Sequence, residues 1–443
     1  MTKPTLTPPS GTRDFLPRES KFRSEIFSTV RANFARHGFE PFETPAFERL
    51  ETLSGKYGDE GEKLIYKILK RGDKAASGEA DMALRYDLTV PTMRLFSHRR
   101  NELSRIVKRY QIGPVWRADR PGRGRFREFW QCDVDIIGGA TPLSDIEVLL
   151  TLSDVLEELG LEDFTIRLNS RGALRGLMNA YSLPAESHGA VLTVLDKLDK
   201  IGVDGVAEGL LELDPRFGNT SDLVADIRMS NPQEALRSRI QGTEEGQAGL
   251  ALVDTIRDRI APLLAGQASI IVDPFLARGL DYYTGPIFEF VAKGNVGSIA
   301  GGGRYDNLSK LFMKEGVPVC GGSLGIERIM LLLSDKGAQK RAAPSGCYVT
   351  VWDEDSVPDA LALCRRIRQK GLVADMDVEA GKLGRQMKLA NERGSRLVTV
   401  QGPDEKSVGE ITIKDMVSGE QRTVPEGAVV AVIEDLLRRV TNS

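Results

Sequence analysis

Cysteine and histidine are scarce in this chain, and their scarcity narrows the chemistry open to it. Only four of the 443 residues are cysteine and only three are histidine. The cysteines form no C-x-x-C pair, which favours a reducing cytosol and predicts neither a zinc site nor a disulfide framework. Each histidine lies in a polar context, so neither a Ser-His-Asp triad nor a histidine-based metal cluster is expected.

Long apolar runs and an excess of charge of one sign are also missing. No apolar stretch approaches the roughly 18 residues of a membrane span, and Met1–Ser10 lacks the apolar core of a secretory signal. We therefore expect a cytoplasmic protein without a membrane segment. A net charge of −3 argues against a general nucleic-acid coat, so such contacts have to come from local basic patches. No phosphate-loop or dinucleotide-binding glycine motif is present.

The order of strand and helix patterns predicts several domains. Residues 1–170 and 263–333 have sheet-forming patterns and are interpreted as the two parts of one catalytic domain. Residues 171–262 nearly lack aromatics and have helical spacing, which predicts a helical insertion domain. Residues 334–346 have the composition of a linker. In residues 347–443 strands alternate with helices, which predicts a separate small α/β domain.

The strongest local positive charge lies between Arg99 and Arg127, where ten Lys and Arg residues accompany two acids. Such a run is usually a solvated surface. Here Pro121, Gly122 and Gly124 predict a hairpin loop at its centre. The alternative function is a cradle for a polyphosphate, formed by the arginines on and beside the loop: Arg117, Arg120, Arg123, Arg125 and Arg127.

A second charged stretch, Leu276–Phe290, is flanked by apolar runs. Burying Arg278 is costly unless a partner or a ligand satisfies its charge. A structural pair with Asp281 and a ligand pocket are both compatible with the local sequence. The glycine tract Gly297–Gly303 also has two interpretations. It is either a flexible loop or a segment whose backbone approaches a ligand closely.

Taken in chain order, these segments resemble class II aminoacyl-tRNA synthetases. Phe39–Glu48 resembles motif 1, Arg117–Gly138 resembles motif 2, and Gly321–Leu333 resembles motif 3. The resemblance covers nearly the whole chain, and the class I signatures are absent from the sequence. Three further segments are similar to signatures of the histidyl-tRNA synthetase family: Gly11–Pro17, Arg278–Tyr283 and Ala300–Asp306.

The resemblance implies an α+β fold. An antiparallel sheet flanked by helices would carry the helical insertion and be followed by a C-terminal α/β anticodon-binding domain. The family also implies a homodimer with motif 1 at the interface, a position that suits Pro41, Pro45 and Phe47. The implied reaction activates L-histidine with ATP and Mg²⁺ to histidyl-adenylate. The histidyl group is then transferred to the 3′ end of tRNA(His).

The resemblance assigns roles to individual residues, with Arg278 and Arg117 as the catalytic pair that neutralises charge on the α-phosphate. Asp281 is expected to be structural, and no protein-held metal site is implied. ATP binding is implied for Arg117, Asp119, Arg125, Phe129 and Arg328. Histidine binding is implied for Asp87, Thr89, Arg117, Gln131, Asp135, Arg278, Tyr282, Tyr283 and Tyr305. tRNA contacts are expected from Arg123, Lys382, Arg385 and Lys388.

Two non-catalytic interpretations remain open from the sequence. The regulatory subunit of ATP phosphoribosyltransferase shares the catalytic-domain fold, but usually lacks the C-terminal domain and the R-G-L-D-Y-Y motif that this chain has. A nucleic-acid or kinase-docking module built on an inactive synthetase fold is the other. Exchange of pyrophosphate into ATP that depends on an amino acid separates the enzyme from both.

The motif 2 loop departs from the pattern of many bacterial members. Gly122 stands where they have a glutamine used towards the extra 5′ guanosine of their tRNA, and Asp87 and Asp135 stand where they have glutamate. We therefore expect charging to depend only weakly on that guanosine. Aminoacylation of transcripts with and without the nucleotide measures this, and a large loss on deleting it contradicts the expectation.

Overall fold

The computed structural model of the protein describes residues 5–57, 61–213, 221–277, 282–293, 297–337, 345–379 and 381–441. The chain divides into two compact units, Met1–Gln339 and Lys340–Ser443. Within the described ranges, none of the helices is both long enough and apolar enough to cross a membrane.

The first unit contains eleven strands within its described residues. They are β1 (Glu40–Pro41), β2 (Phe47–Arg49), β3 (Lys67–Leu69), β4 (Ala80–Leu84), β5 (Val107–Trp116), β6 (Glu128–Ile137), β7 (Phe164–Ser170), β8 (Ser269–Val272), β9 (Pro286–Ala292), β10 (Ser298–Arg304) and β11 (Val319–Gly325).

The helices of the first unit lie before, between and after these strands. They are α1 (Pro17–Arg36), α2 (Leu50–Leu53), α3 (Asp73–Ala76), α4 (Thr89–His98), α5 (Pro142–Glu158), α6 (Arg171–Ala180), α7 (His188–Leu195), α8 (Leu198–Leu213), α9 (Ser221–Ile227), α10 (Pro232–Gln241), α11 (Glu244–Ile260), α12 (Asp306–Lys310) and α13 (Ile326–Asp335).

Eight strands form the main sheet, in the order β1-β5-β6-β11-β10-β9-β7-β8. The inner pairs are antiparallel, as the sequence predicts, but the two outermost pairs, β1/β5 and β7/β8, are parallel. Neighbouring parallel strands need a crossover connection. The helices α6 to α11 form that crossover between β7 and β8. The chain therefore leaves the sheet after β7 and re-enters it at the neighbouring strand, β8.

Alternation along β6 assigns its side chains to the two faces of the main sheet. Cys132, Val134 and Ile136 belong to the hydrophobic core that also includes residues of α1 and α5. Since successive side chains of a strand point to opposite faces, Asp133 and Asp135 face the other way, towards a small cavity. The hairpin predicted from the loop residues is confirmed, because β5 and β6 pair in continuous antiparallel register.

The N-terminal segment follows its local signals. Helix α1 begins at Pro17, because proline suits the first helical turn, and it stops before Gly38, which has a φ of +74°. The segment that resembles motif 1, Phe39–Glu48, is divided between two sheets. Its first part, β1, lies at the edge of the main sheet, where Pro41 is tolerated, and β2 pairs with β4 in a separate sheet with the order β2-β4-β3.

The helices from α6 to α11 share a core with the main sheet. Leu177 of α6 and Val253 of α11 belong to the same buried cluster as Ile166 of β7. The division at residues 171 and 262 therefore stays a proposal. The expected linker at 334–346 begins inside α13, which continues to Asp335, and residues 338–344 lie outside the described ranges.

The second unit has its own sheet, in the order β13-β12-β14-β15-β16. Its three neighbouring strands β13, β12 and β14 are parallel, and β15 and β16 are antiparallel. The strands are β12 (Cys347–Val349), β13 (Ala374–Met376), β14 (Leu397–Val400), β15 (Glu410–Asp415) and β16 (Gln421–Pro425). The helices are α14 (Val357–Gln369), α15 (Leu383–Glu392), α16 (Pro403–Val408) and α17 (Val429–Thr441).

Candidate active site

Glycines in β10 and β11 form a flat floor on the sheet. A Cβ atom at Gly321 would lie 1.9 Å from Oδ1 of Asp135, and one at Gly302 would lie 2.1 Å from the carbonyl oxygen of Gly321. Larger residues at these positions would displace a functional carboxylate or separate the strands. The glycine tract is thus a strand, Ser298–Arg304, and the interpretation as a flexible loop is wrong.

A small cavity of about 120 Å³ lies on this floor. It collects all the described residues that the family resemblance assigns to histidine, together with glycines and two polar residues that the sequence analysis did not single out, Asp133 and Ser323. The lining residues that the family resemblance assigns to histidine are Asp87, Thr89, Arg117, Gln131, Asp135, Tyr282, Tyr283 and Tyr305. Arg278 and Asp281, in contrast, lie outside the described residues.

A larger cavity of about 770 Å³ adjoins the small one. Arg117, Gln131, Gly301 and Ser323 line both, so the two cavities meet at these residues. The residues assigned to ATP all line the larger cavity: Arg117, Asp119, Arg125, Phe129 and Arg328.

Asp87 lies at the junction between β4 and α4. Its Oδ1 accepts hydrogen bonds from the backbone N–H of Val90 at 3.0 Å and from the hydroxyl of Tyr57 at 3.2 Å. Its Oδ2 is buried and has no hydrogen-bond partner among the described residues. Burial raises the pKa of Asp87. The residue therefore presents an unsatisfied acceptor to the small cavity.

Asp135 also lines the small cavity and already has two partners. It forms an ion pair with Arg109, whose side chain is completely buried, and it accepts a hydrogen bond from the hydroxyl of Tyr305. Burial raises the pKa of Asp135, while the Arg109 guanidinium opposes that rise. Sequence reasoning missed Arg109, which sits directly opposite Asp135 in the β5/β6 register.

Asp133 is the second residue that sequence reasoning missed. It lies between Gln131 and Asp135 on the same face of β6 and is 2% exposed. Burial, aided by the negative charge of Asp135, raises its pKa to about 7 against the pull of Arg109. A period-two signal could have found it, because the polar residues Gln131, Asp133 and Asp135 alternate with apolar ones in a strand whose other face is core.

The arginine assigned to the α-phosphate is held at the junction of the cavities. Nε of Arg117 donates to the carbonyl oxygen of Tyr86 at 3.0 Å, and its guanidinium lies 4.2 Å from the centroid of the Tyr86 ring and 5.2 Å from that of Phe129. Arg125 donates to Asp119 at 2.8 Å. This carboxylate therefore offsets the charge of Arg125.

Other arginines of the motif 2 loop are engaged elsewhere. Arg127 donates to the carbonyl oxygens of Asp119 and Ser10, and Arg123 forms an exposed ion pair with Asp335 at 3.1 Å. Among the described residues that line the larger cavity, Arg117 and Arg125 are the two arginines supplied by this loop and its base.

An N-terminal residue connects the motif 2 and motif 3 segments. The guanidinium of Arg13 lies 3.8 Å from the centroid of the Phe126 ring and 3.9 Å from Oε1 of Glu327, and both of these residues line the larger cavity. Glu327 in turn accepts from the backbone N–H of Trp130 at 3.1 Å. The Gly11–Pro17 segment was noted as a family signature, but its sequence does not reveal this contact.

The basic residues assigned to tRNA in the second unit lie on or beside α15. Arg385 forms ion pairs with Asp377 at 2.9 Å and with Glu379 at 3.1 Å, and Lys388 lies 3.8 Å from Glu392. Much of the positive charge predicted for this helix is therefore offset by local acids.

The fold and the paired cavities define a class of protein. The structure matches a crystal structure titled histidyl-tRNA synthetase from Nostoc sp. with a TM-score of 0.81 and 27% identity, covering 98% of this chain and all of the other. Together with the family matches below, the central sheet and the three motifs identify an aminoacyl-tRNA synthetase of class II.

Sequence comparisons specify the family. A model described as histidyl-tRNA synthetase matches residues 11–329, and one described as anticodon binding domain matches residues 346–436. The chain is 39% identical to histidine–tRNA ligase of Christiangramia forsetii, with 95% of this chain and 96% of the relative covered. It is 36% identical to that of Gloeobacter violaceus, with 97% and 98% covered. The chain belongs to the histidyl-tRNA synthetase family.

The raised pKa of Asp133 predicts that this residue lowers stability above neutral pH. The folded pKa of about 7 exceeds the ordinary value of 3.8, so the contribution of Asp133 to the free energy of unfolding falls as pH rises between these values. Asp133→Asn should therefore raise the thermal midpoint of the ligand-free protein at pH 8, by an amount on the order of a few kcal/mol in stability. At pH 5, where only part of this loss has developed, the rise should be less than half as large.

Asp226→Asn is the matched control of opposite sign. Hydrogen bonds from Tyr181 and Arg239 hold the pKa of Asp226 low against the effect of burial, so its charge stabilises the fold and the substitution should lower the midpoint at pH 8. An Asp133→Asn variant that is less stable than the wild type at pH 8 contradicts the prediction.

Proposed function

We propose that the two adjoining cavities carry out the first half of histidine–tRNA ligation. The observation that supports this most directly is their shared lining. A cavity the size of an amino acid opens at Arg117 and Gln131 into one large enough for a nucleotide. In that arrangement the carboxylate of the bound amino acid meets the α-phosphate of ATP beside a guanidinium.

The reaction needs positioning and charge stabilisation rather than a protein nucleophile. An oxygen of the histidine carboxylate attacks the α-phosphorus in line, a new P–O bond forms, and the bond to pyrophosphate breaks. Arg117 and Arg278 neutralise the charge that develops on the α-phosphate. Arg125 leaves its ion pair with Asp119 and binds the outer phosphates of ATP. Phe129 stacks on adenine, Arg328 covers the opposite side of the nucleotide, and Asp119 supports it.

The small cavity is proposed to read both ends of the amino acid. Asp87, Thr89 and Gln131 bind the α-ammonium group, and Asp135 and Tyr283 read the imidazole, with Tyr282 and Tyr305 lining the ring pocket. A site built from hydrogen-bonding groups rejects a ligand that lacks the matching donors by about 10⁴-fold or more, because its own buried polar groups are left unpaired.

Magnesium enters this proposal as part of the magnesium–ATP substrate. The described residues contain no group of three or more His, Cys, Asp or Glu side chains that would hold a metal ion by themselves. Mg²⁺ keeps several waters and is commonly held by substrate phosphates with one or two carboxylates. Glu327 and Glu289 line the larger cavity and are the candidates for that contact, where the ion would offset phosphate charge.

The second half-reaction brings tRNA(His) to the same site. The 3′-terminal ribose hydroxyl attacks the carbonyl carbon of the adenylate, and AMP leaves with the P–O–C oxygen. Arg123 is proposed to approach the acceptor end, and Lys382, Arg385 and Lys388 are proposed to contact tRNA from the second unit. For this contact, the ion pairs that Arg385 and Lys388 form with nearby acids have to break.

We also propose a cytoplasmic homodimer. Phe47 in the short strand β2 is 51% exposed, which an interface at motif 1 would explain. All four cysteines are free and buried, in agreement with a reducing compartment. Sedimentation of the purified chain tests the dimer directly.

Amino-acid-dependent exchange of labelled pyrophosphate into ATP tests the proposed function. We expect histidine alone among the standard amino acids to support exchange, because the small cavity combines acceptors for an ammonium group with donors and acceptors for a ring. Lack of exchange with every amino acid would contradict it and favour the regulatory-subunit or docking-module interpretation.

Arg278→Ala should reduce exchange by on the order of 10³-fold, since it removes a cation from the developing charge of the transition state. The dimer and the thermal midpoint should stay near those of the wild type. Arg175→Ala is the matched control, because Arg175 is an exposed residue of α6 paired with Glu245 and lines neither cavity. Exchange that survives in Arg278→Ala shows that Arg278 is misplaced in this proposal.

A further inference from the structure

We propose that Asp133 is a further histidine-binding residue, whose free carboxylate oxygen accepts a hydrogen bond from the Nδ1–H of the substrate imidazole. Nδ1 is the ring nitrogen nearer the main chain of the amino acid. This inference rests on the proposed function, because it specifies how the small cavity recognises the ring.

The position of Asp133 along β6 supports this assignment. Gln131 lines both cavities, whereas Asp133 and Asp135 line the small cavity and are absent from the described lining of the larger one. Successive residues on one face of a strand lie about 7 Å apart. Asp133 therefore lies midway along β6 between Gln131, which is proposed to bind the α-ammonium group, and the carboxylate of Asp135. We infer that this position lies beside the proximal ring nitrogen.

Asp133 has one oxygen engaged and one oxygen free. The hydroxyl of Ser323, its cross-strand neighbour in β11, donates to the carboxylate. Ser323 in turn accepts from Nε2 of Gln131 at 3.2 Å. Oδ1 of Asp133 is buried and has no hydrogen-bond partner in the described part of the chain. A buried carboxylate oxygen without a partner is costly, and a ligand donor would satisfy it.

The α-ammonium group does not need this oxygen. An ammonium group has three N–H donors, and three other acceptors line its end of the cavity. These are Oδ2 of Asp87 and Oε1 of Gln131, both buried and without a partner in the described residues, and the hydroxyl of Thr89. Two buried carboxylate oxygens of this cavity then remain without a hydrogen-bond partner in the described residues, Oδ1 of Asp133 and Oδ2 of Asp135. The Asp135 oxygen faces Arg109 in an ion pair, so Oδ1 of Asp133 is the acceptor left for the ring.

Asp135 is less available to the proximal ring nitrogen. Its carboxylate forms an ion pair with Arg109 and accepts from Tyr305. Together with Tyr283, it suits the distal nitrogen, Nε2, at the closed end of the cavity. The two aspartates would then divide the ring between them, with Asp133 at the proximal nitrogen and Asp135 at the distal end.

Substitution of Asp133 combined with methylated substrates tests the assignment. In Asp133→Asn we expect the Kd of histidine, measured by titration calorimetry, and its KM in the exchange assay to rise about 10- to 100-fold, as for the loss of a hydrogen bond to a charged group. The KM of ATP should change less than about twofold, since Asp133 does not line the larger cavity.

Histidine methylated at Nδ1 lacks the N–H group whose hydrogen bond Asp133 is proposed to accept. The wild type should reject it strongly, and the ratio of its Kd to that of histidine should fall at least about 10-fold in Asp133→Asn. The ratio for histidine methylated at Nε2 should not change. Val134→Ala is the matched control, because its side chain lies in the core on the other face of the same strand. It should lower stability and leave both ratios unchanged.

Three results would overturn the proposal: an unchanged affinity for histidine in Asp133→Asn, an equal loss for ATP and histidine that Val134→Ala reproduces, or a changed ratio for the Nε2-methyl compound alone. Failure of the proposed function is separate. A wild type that binds histidine but exchanges no pyrophosphate contradicts catalysis, while calorimetry still measures the contact of Asp133 with the ring.

Discussion

The site depends on the cost of burying carboxylates beside one another. Asp87, Asp133 and Asp135 line one cavity of about 120 Å³, and the guanidinium of Arg109 beneath it, which is completely buried, forms an ion pair with Asp135. Ionised carboxylates leave water at a large cost unless charge and hydrogen bonds replace hydration. Arg109 offsets part of that cost, and a cationic amino group with a hydrogen-bonding ring offsets more. The ligand-free protein is thereby prepared for a substrate such as histidine.

The glycines of β10 and β11 make room for this charge. Asp135 and Gly321 share a register position, and a methyl group at Gly321 would occupy the place of the carboxylate. The floor of the small cavity is therefore flat, and its border is polar. The same register brings Ser323 against Asp133, so pairing of strands that are far apart in sequence arranges the hydrogen bonds of the pocket.

Arginine dominates the nucleotide side of the site for a related reason. Adenylation uses the substrate carboxylate as nucleophile and expels pyrophosphate, so the protein mainly has to orient reactants and neutralise charge. Arg117 is held by the carbonyl oxygen of Tyr86 and by two aromatic rings. Arg13 connects Phe126 to Glu327 and so links the motif 2 and motif 3 segments. Rigid attachment of this kind keeps the cations in position before ATP binds.

The sequence alone determined the local elements, the hairpin carrying Arg117 and Arg125, and the family, because turn residues, periodicity and motifs act over short distances along the chain. Through the family resemblance it also indicated Asp87 and Thr89 as candidate site residues. Tertiary structure decided what depends on partners across the sheet. The parallel outer pairs, the charge balance by Arg109 and the free oxygen of Asp133 were not predicted. Burial and hydrogen-bond satisfaction are set by neighbours on other strands, and a single sequence does not show which strands those are.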